Sequence, residues 1–137
     1  VIEQANSNAN PAKRLLIVDD ALIMRRRIMQ IAELAGWSVV GEAKDGREAV
    51  AMFRQQKPDL VTMDIVMPEM DGVEALKQMI AEEPRAQIVM ISAVNQKDKL
   101  AECLRAGAQD FIVKPFEKSE LLAFFTKQLA TNKRSLE

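Results

Sequence analysis

Leu15-Leu16-Ile17-Val18-Asp19-Asp20 is the stretch on which the reading of the fold turns. Four consecutive apolar residues, too few for a helix, read as a strand buried on both faces, and two carboxylates close it. Directly after it Met24, Ile28, Ile31, Ala32 and Ala35 fall at helical spacing, and Gly36 stops the helix. The chain then repeats this order. Trp37–Ala43, with β-branched Val39 and Val40, reads as a strand, and Gly46–Gln56 as a helix with Ala49, Val50 and Phe53 on one face. Leu60-Val61-Thr62-Met63 is a buried strand, followed by a helix marked by Val73, Leu76 and Ile80. Ile88–Ile91 is the fourth strand; Leu100, Cys103 and Leu104 sit on a helix ended by Gly107. Phe111-Ile112-Val113 is the fifth strand, and Leu121, Leu122, Phe125 and Leu129 mark a final helix. Five short apolar strands alternating with five amphipathic helices predict an α/β fold. Its form is a doubly wound, five-stranded parallel sheet with helices on both faces.

Composition bounds the function. A chain of 137 residues that is 48% hydrophobic and 28% charged has material for one core, and disorder is excluded. Nineteen basic residues against twenty acidic ones leave a formal charge of −1, which argues against direct nucleic-acid binding through bulk charge. No apolar run approaches the roughly 18 residues of a spanning helix, so no membrane insertion is expected. The single cysteine forms no internal disulfide, and the expected home is the cytoplasm. With no histidine, triads, imidazole metal sites and a phosphodonor role are excluded. Residues 1–12, Asn-rich and closed by Pro11, read as a flexible arm; residues 13–130 form the domain. Residues 131–137 read as a polar tail whose Leu136-Glu137 has the look of a cloning remnant.

In a doubly wound sheet function collects at the carboxyl ends of the strands. There the sequence places Asp19-Asp20 after the first strand, Asp64 after the third, Ser92 after the fourth and Lys114-Pro115 after the fifth. Each alone reads as a helix cap, a turn or a solvated end. Together they put three carboxylates on one edge, and two carboxylates about 5 Å apart repel by roughly 3 kcal/mol at an effective dielectric near 20. A hard divalent cation relieves that repulsion, and magnesium leaves open positions for phosphate. An aspartate beside such a metal and a lysine is a competent nucleophile towards phosphorus.

These residues carry a resemblance. The motifs Leu16-Ile17-Val18-Asp19-Asp20, Met63-Asp64-Ile65-Val66-Met67-Pro68-Glu69-Met70-Asp71-Gly72, Ile91-Ser92-Ala93 and Lys114-Pro115-Phe116 stand in the order and spacing of bacterial response-regulator receiver domains. The chain most resembles the single-domain chemotaxis regulators of the CheY type, over essentially all of residues 13–130. The resemblance implies a flavodoxin-like fold and a phosphorylation-gated switch, not a turnover enzyme. It makes Asp64 the residue phosphorylated by a sensor histidine kinase. Magnesium would be held by Asp20 directly, Asp19 mostly through water, Asp64, and the backbone carbonyl of Val66. Ser92, with Ala93 beside it, and Lys114 would bind the phosphoryl group, and Phe111 is the switch aromatic. The peptide before Pro115 is expected to be cis. A downstream target or output domain would bind the face formed by Lys97, Leu100, Phe111, Val113, Phe124 and Lys127.

Two departures stand out: Phe111 lacks the hydroxyl of a tyrosine, and Val66 and Val94 are apolar where the family often has polar side chains. The two valines predict slow self-dephosphorylation and dependence on a separate phosphatase or on return of the phosphoryl group to a kinase. Arg25-Arg26-Arg27 reads as a solvated face, Met67 and Met70 as partly exposed, and Cys103 as a buried hydrophobe. Two other functions stay in view. The chain could be the N-terminal receiver of a longer transcription factor or effector enzyme. A magnesium-dependent phosphatase with an aspartate nucleophile is disfavoured, because its acid would stand at Val66. An acidic first turn also repels a flavin phosphate.

Overall fold

The computed structural model describes residues 11–132, so most of the expected arm and tail lies outside the described residues. The order of elements is β1 (Arg14–Val18), α1 (Leu22–Leu34), β2 (Ser38–Ala43), α2 (Gly46–Gln56), β3 (Leu60–Met63) and α3 (Gly72–Glu82). Then come β4 (Ile88–Ala93), a 3-10 turn (Val94–Gln96), α4 (Lys97–Ala106), β5 (Asp110–Lys114) and α5 (Lys118–Asn132). The strands form one sheet in the order β2-β1-β3-β4-β5, and every neighbouring pair is parallel. This is the doubly wound sheet the alternation predicts.

Alternate residues of each strand feed opposite layers, which is why the strands read as continuous apolar runs. Leu16, Val18, Val61, Met63, Ile88 and Met90 pack with Phe53 of α2, Leu76 and Met79 of α3, and Cys103 of α4. Leu15, Ile17, Leu60, Val89 and Ile91 pack with Ile28 and Ile31 of α1 and with Leu121 and Phe125 of α5. Trp37 closes this second layer: it is 3% exposed and its indole N–H donates to the Phe125 carbonyl at 3.0 Å.

The differences from the expected boundaries have physical causes. β2 begins at Ser38 because the Trp37 amide donates to the Ala32 carbonyl and so belongs to the end of α1. β4 and β5 outrun their apolar cores, since Ser92 pairs with Val113 and Ala93 with Lys114. Ser92 and Lys114 are therefore ladder residues, held more rigidly than residues in the loops beyond. α5 continues through Asn132, two residues past the expected end of the domain. Among the described residues no helix is long and apolar enough to cross a membrane.

Candidate functional site

The sheet itself carries two aspartates to its carboxyl edge. The Asp19 amide donates to the Ala43 carbonyl and the Asp64 amide to the Val18 carbonyl, both at 3.0 Å, so the backbone bonding of the sheet runs one residue past β1 and β3. Neither side chain is a helix cap. The N-cap of α1 is Ala21, without a side-chain bond, and that of α3 is Asp71, which accepts from the Glu74 amide. Asp19 instead accepts from the Ala21 amide at 2.9 Å, and Asp64 from the Ile65 amide at 2.8 Å. Asp19 is 1% and Asp64 8% exposed, while Asp20 faces solvent. One carboxylate oxygen from each of the three lies within 4.8 Å of the others.

Lys114 reaches this cluster from the end of β5. Its ammonium sits 2.7 Å from Asp19 Oδ2 and 3.4 Å from Asp64 Oδ2. One cation against three carboxylates leaves the cluster net negative. Burial pushes the Asp64 carboxyl above its ordinary range; Lys114 opposes that shift, and the charge of Asp19 adds to it. An acidic cluster with all-oxygen donors, two of its three carboxylates buried, suits a hard divalent cation of the magnesium type. Ser92 is 1% exposed at the end of β4. Ala93 beside it is exposed.

The loop after Asp64 is shaped by glycine. A Cβ at Gly72 would stand 2.0 Å from the Asp64 carbonyl oxygen, so only glycine lets α3 begin this close behind the site. Val66 in that loop is 56% exposed, whereas Met67 is buried at 8%, contrary to the expectation of partial exposure. Met67 joins the α2–α3–α4 layer, anchoring the loop from beneath. Val94 heads the 3-10 turn, and its side chain lies outside the described residues. The Lys114–Pro115 peptide is cis.

Of the arginine triplet of α1, Arg26 and Arg27 are exposed as expected, and Arg25 alone turns inward. Arg25 donates to the Asp19 carbonyl at 2.7 Å and to Glu42 at 3.0 Å; Arg26 also pairs with Glu42. Arg27 lies 5.0 Å from the centroid of the Phe116 ring and donates to the Phe116 carbonyl. The sequence reasoning misses Arg25 and Glu42 as members of the site. A charged residue inside the apolar strand Val39-Val40-Gly41-Glu42-Ala43 is the signal that could have found them.

Of the residues expected on a partner face, Lys97, Leu100, Phe111 and Val113 line one groove of about 280 Å³ between α4 and β5. Ala101 and Leu104 complete it. Leu104 is 40% exposed, not packed inward as its helical spacing suggested, and Phe111 is 38% exposed at the same groove. Phe124 is absent from the lining and half-buried. It folds edge-on against Phe125, with centroids 5.6 Å apart. Lys127 is exposed on α5, also outside the groove lining.

A carboxylate cluster with a lysine stands at the carboxyl edge of a 2-1-3-4-5 parallel sheet, and residues 15–126 match the response regulator receiver domain family. The chain belongs to that family. It is a CheY-like receiver domain of two-component signalling, a switch and not a turnover enzyme. It is 49% identical to the chemotaxis protein CheY of Thermotoga maritima over 115 residues, 84% of this chain and 96% of that protein. Identity to the chemotaxis protein CheY of Bacillus subtilis is 48% over 118 residues, 86% of this chain and 98% of the other. A crystal structure of a CheX–CheY–BeF3–Mg complex from Borrelia burgdorferi contains a chain that superposes with a TM-score of 0.80 at 33% identity. The match covers 87% of this chain and 89% of that one. The acidic triad is of the kind found at magnesium-binding receiver sites.

Proposed function

We propose that the chain is a cytoplasmic chemotaxis messenger that accepts a phosphoryl group on Asp64 from a sensor histidine kinase. The observation that carries this reading is the convergence of Asp19, Asp20, Asp64 and Lys114 from β1, β3 and β5 on one edge of the sheet. Asp20 and Asp64, the Val66 carbonyl, and Asp19 through water are the groups that would hold magnesium. Bound there, the cation supplies neutralisation of charge on the phosphoryl oxygens. An Asp64 carboxylate oxygen forms the new bond to phosphorus as the phosphorus–nitrogen bond of the donor imidazole breaks. Lys114 then donates to a phosphoryl oxygen in place of its bond to Asp64, and the Ser92 hydroxyl donates to another.

The response is a population shift. Phosphorylation favours the arrangement in which Ser92 and Lys114 both bond the phosphoryl group, and Phe111 leaves the rim of its groove. A few kcal/mol of differential interaction turns a minor state into a majority. The α4–β5 groove is the output face, with Phe111 and Leu104 as apolar anchors and Lys97 as a basic neighbour, suited to an amphipathic acidic segment. The Borrelia burgdorferi complex of CheX with CheY supports a further regulatory partner, for which we assign a separate phosphatase.

The test is labelling with acetyl phosphate in magnesium, followed by mass mapping of the modified peptide. The expected product is one phosphoryl group on Asp64, abolished by chelator and by Asp64→Asn. Label on Ser92, or undiminished label after chelation, overturns the assignment.

A further inference from the structure

The carboxylate cluster depends on the two-residue turn that carries Asp19 and Asp20, and that turn has an unusual tether. Asp19 is the last residue bonded to the sheet, through its amide. Its carbonyl points the other way, away from the ladder and towards α1. There the Arg25 guanidinium donates to it at 2.7 Å. The same guanidinium donates through Nε to Glu42 Oε1 at 3.0 Å, and the two side chains are only 14% and 21% exposed. Glu42 is itself set in β2, paired in register with Ile17 of β1. The result is a closed loop of bonds: β1 to β2 through the ladder, β2 to Arg25 through Glu42, and Arg25 back to the Asp19 carbonyl.

We infer that Arg25 is a positioning residue for the magnesium site, holding the Asp19-Asp20 turn so that its two carboxylates face Asp64. This rests on the reading of the site given under Proposed function. Three observations support it. The guanidinium spends one N–H on a main-chain carbonyl of the residue whose own side chain enters the cluster. Glu42 neutralises the arginine, so its charge adds little repulsion to an arriving cation. The backbone of α1 repeats the connection, because the Arg25 amide donates to the Ala21 carbonyl and the Ala21 amide donates to Asp19 Oδ1. Both ends of the turn are therefore tied to one residue. Arg26 provides the contrast: it shares Glu42 but its side chain is 61% exposed, and it has no bond to the turn among the described residues.

A positioning role and a simple charge effect predict opposite signs. Removing a cation beside an acidic cluster, if charge alone mattered, would tighten magnesium binding. Losing the tether would weaken it, by about tenfold, as is common for groups that orient metal ligands.

The experiment measures magnesium affinity by titration calorimetry on the full chain, for wild type, Arg25→Met, Arg25→Lys and Arg26→Met. The expected result is about tenfold weaker binding for Arg25→Met, with partial recovery in Arg25→Lys, since an ammonium reaches one acceptor but lacks the guanidinium fork. Arg26→Met should stay within about twofold of wild type, as a solvent-exposed pair contributes little. Amide exchange at Ala21 in the metal-free protein gives a second readout: it should quicken in Arg25→Met while Ile28 and Ile31 keep their protection. Equal or tighter binding in a folded Arg25→Met overturns the inference alone. Wild-type protein that binds no magnesium overturns the reading of the site as well. Should Arg25→Met fail to fold, Arg25→Lys decides, because it keeps the charge and loses the fork: weaker binding supports the tether, and equal or tighter binding overturns it.

Discussion

Lys114 is bonded to Asp19 more closely than to Asp64, at 2.7 Å against 3.4 Å. The lysine that would serve the phosphoryl group is thus first a counter-ion for the buried first aspartate. Asp19 is 1% exposed, and losing its one ion-pair partner among the described residues would leave a buried charge facing two others. Lys114→Met is expected to lower stability in chelator by about 2 kcal/mol, the range of a hydrogen bond to a charged group. Magnesium should restore most of the loss, because a divalent cation takes over the compensation. Thermal melts with and without magnesium read both effects, and a variant indifferent to magnesium would contradict them.

Asp64 gives a pH dependence of definite sign. Its carboxyl is raised in the fold, chiefly by burial, so between the unfolded and folded pKa values the native state binds more protons than the unfolded chain. Stability then falls as pH rises through that window, and the cost is complete above the folded pKa. In the absence of magnesium Asp64→Asn should therefore melt at a higher temperature than wild type at pH 7. The gap should close as pH falls below the ordinary carboxylate value near 4. A gap that widens on acidification would reverse the assignment.

Thr62 lies two residues before Asp64, 1% exposed, and its hydroxyl has no partner among the described residues. An unsatisfied buried hydroxyl costs about 1–3 kcal/mol, and valine fills the same branched shape. Thr62→Val is expected to add about 1 kcal/mol of stability, measured by urea unfolding. Acetyl-phosphate labelling of Asp64 should be unchanged, since the hydroxyl bonds no group of the site.

Cys103 is fully buried in the layer beneath α4, and burial pushes its thiol up to about 11. Ionisation alone then slows attack on a disulfide reagent at pH 8 roughly two-hundredfold relative to a free thiol. Native protein should react far more slowly than protein in guanidinium, and fast native labelling would show that α4 opens readily.

The lifetime of the phosphoryl group is the last prediction. Val66 is 56% exposed two residues beyond Asp64 and offers no hydrogen bond to a water in line with phosphorus. Val66→Asn should shorten the decay of the phosphorylated protein after donor removal, because a polar group can orient that water. Unchanged decay would place control of access elsewhere.

Much of this was legible along the chain because buried parallel strands have a plain signature. Leu15–Val18 and Leu60–Met63 are apolar without alternation, and the aspartates that follow them stand where a doubly wound sheet gathers its chemistry. The helices were legible by periodicity, and Gly46–Gln56 agrees to the residue. What escaped has a common cause. Whether Ser92 and Lys114 belong to strands depends on the β4–β5 ladder, a pairing between segments some twenty residues apart that leaves no local pattern. Phe124 and Leu104 exchange their expected roles because helix rotation against the sheet, not spacing alone, decides which of several apolar side chains is covered.

By itself the sequence determined the alternation of strand and helix, hence the sheet, and with it the edge where Asp19, Asp20, Asp64 and Lys114 meet. Those features follow from local hydrophobic period and from the right-handed crossover rule, and both act along the chain. Only the tertiary structure decided that Arg25 turns from solvent to hold the Asp19 carbonyl, and that Glu42 waits in the neighbouring strand to neutralise it. A long charged side chain has many rotamers and several partners within reach. Its choice is made by whichever acceptors the packed strands bring to it, and those lie 6 and 17 residues away in the sequence.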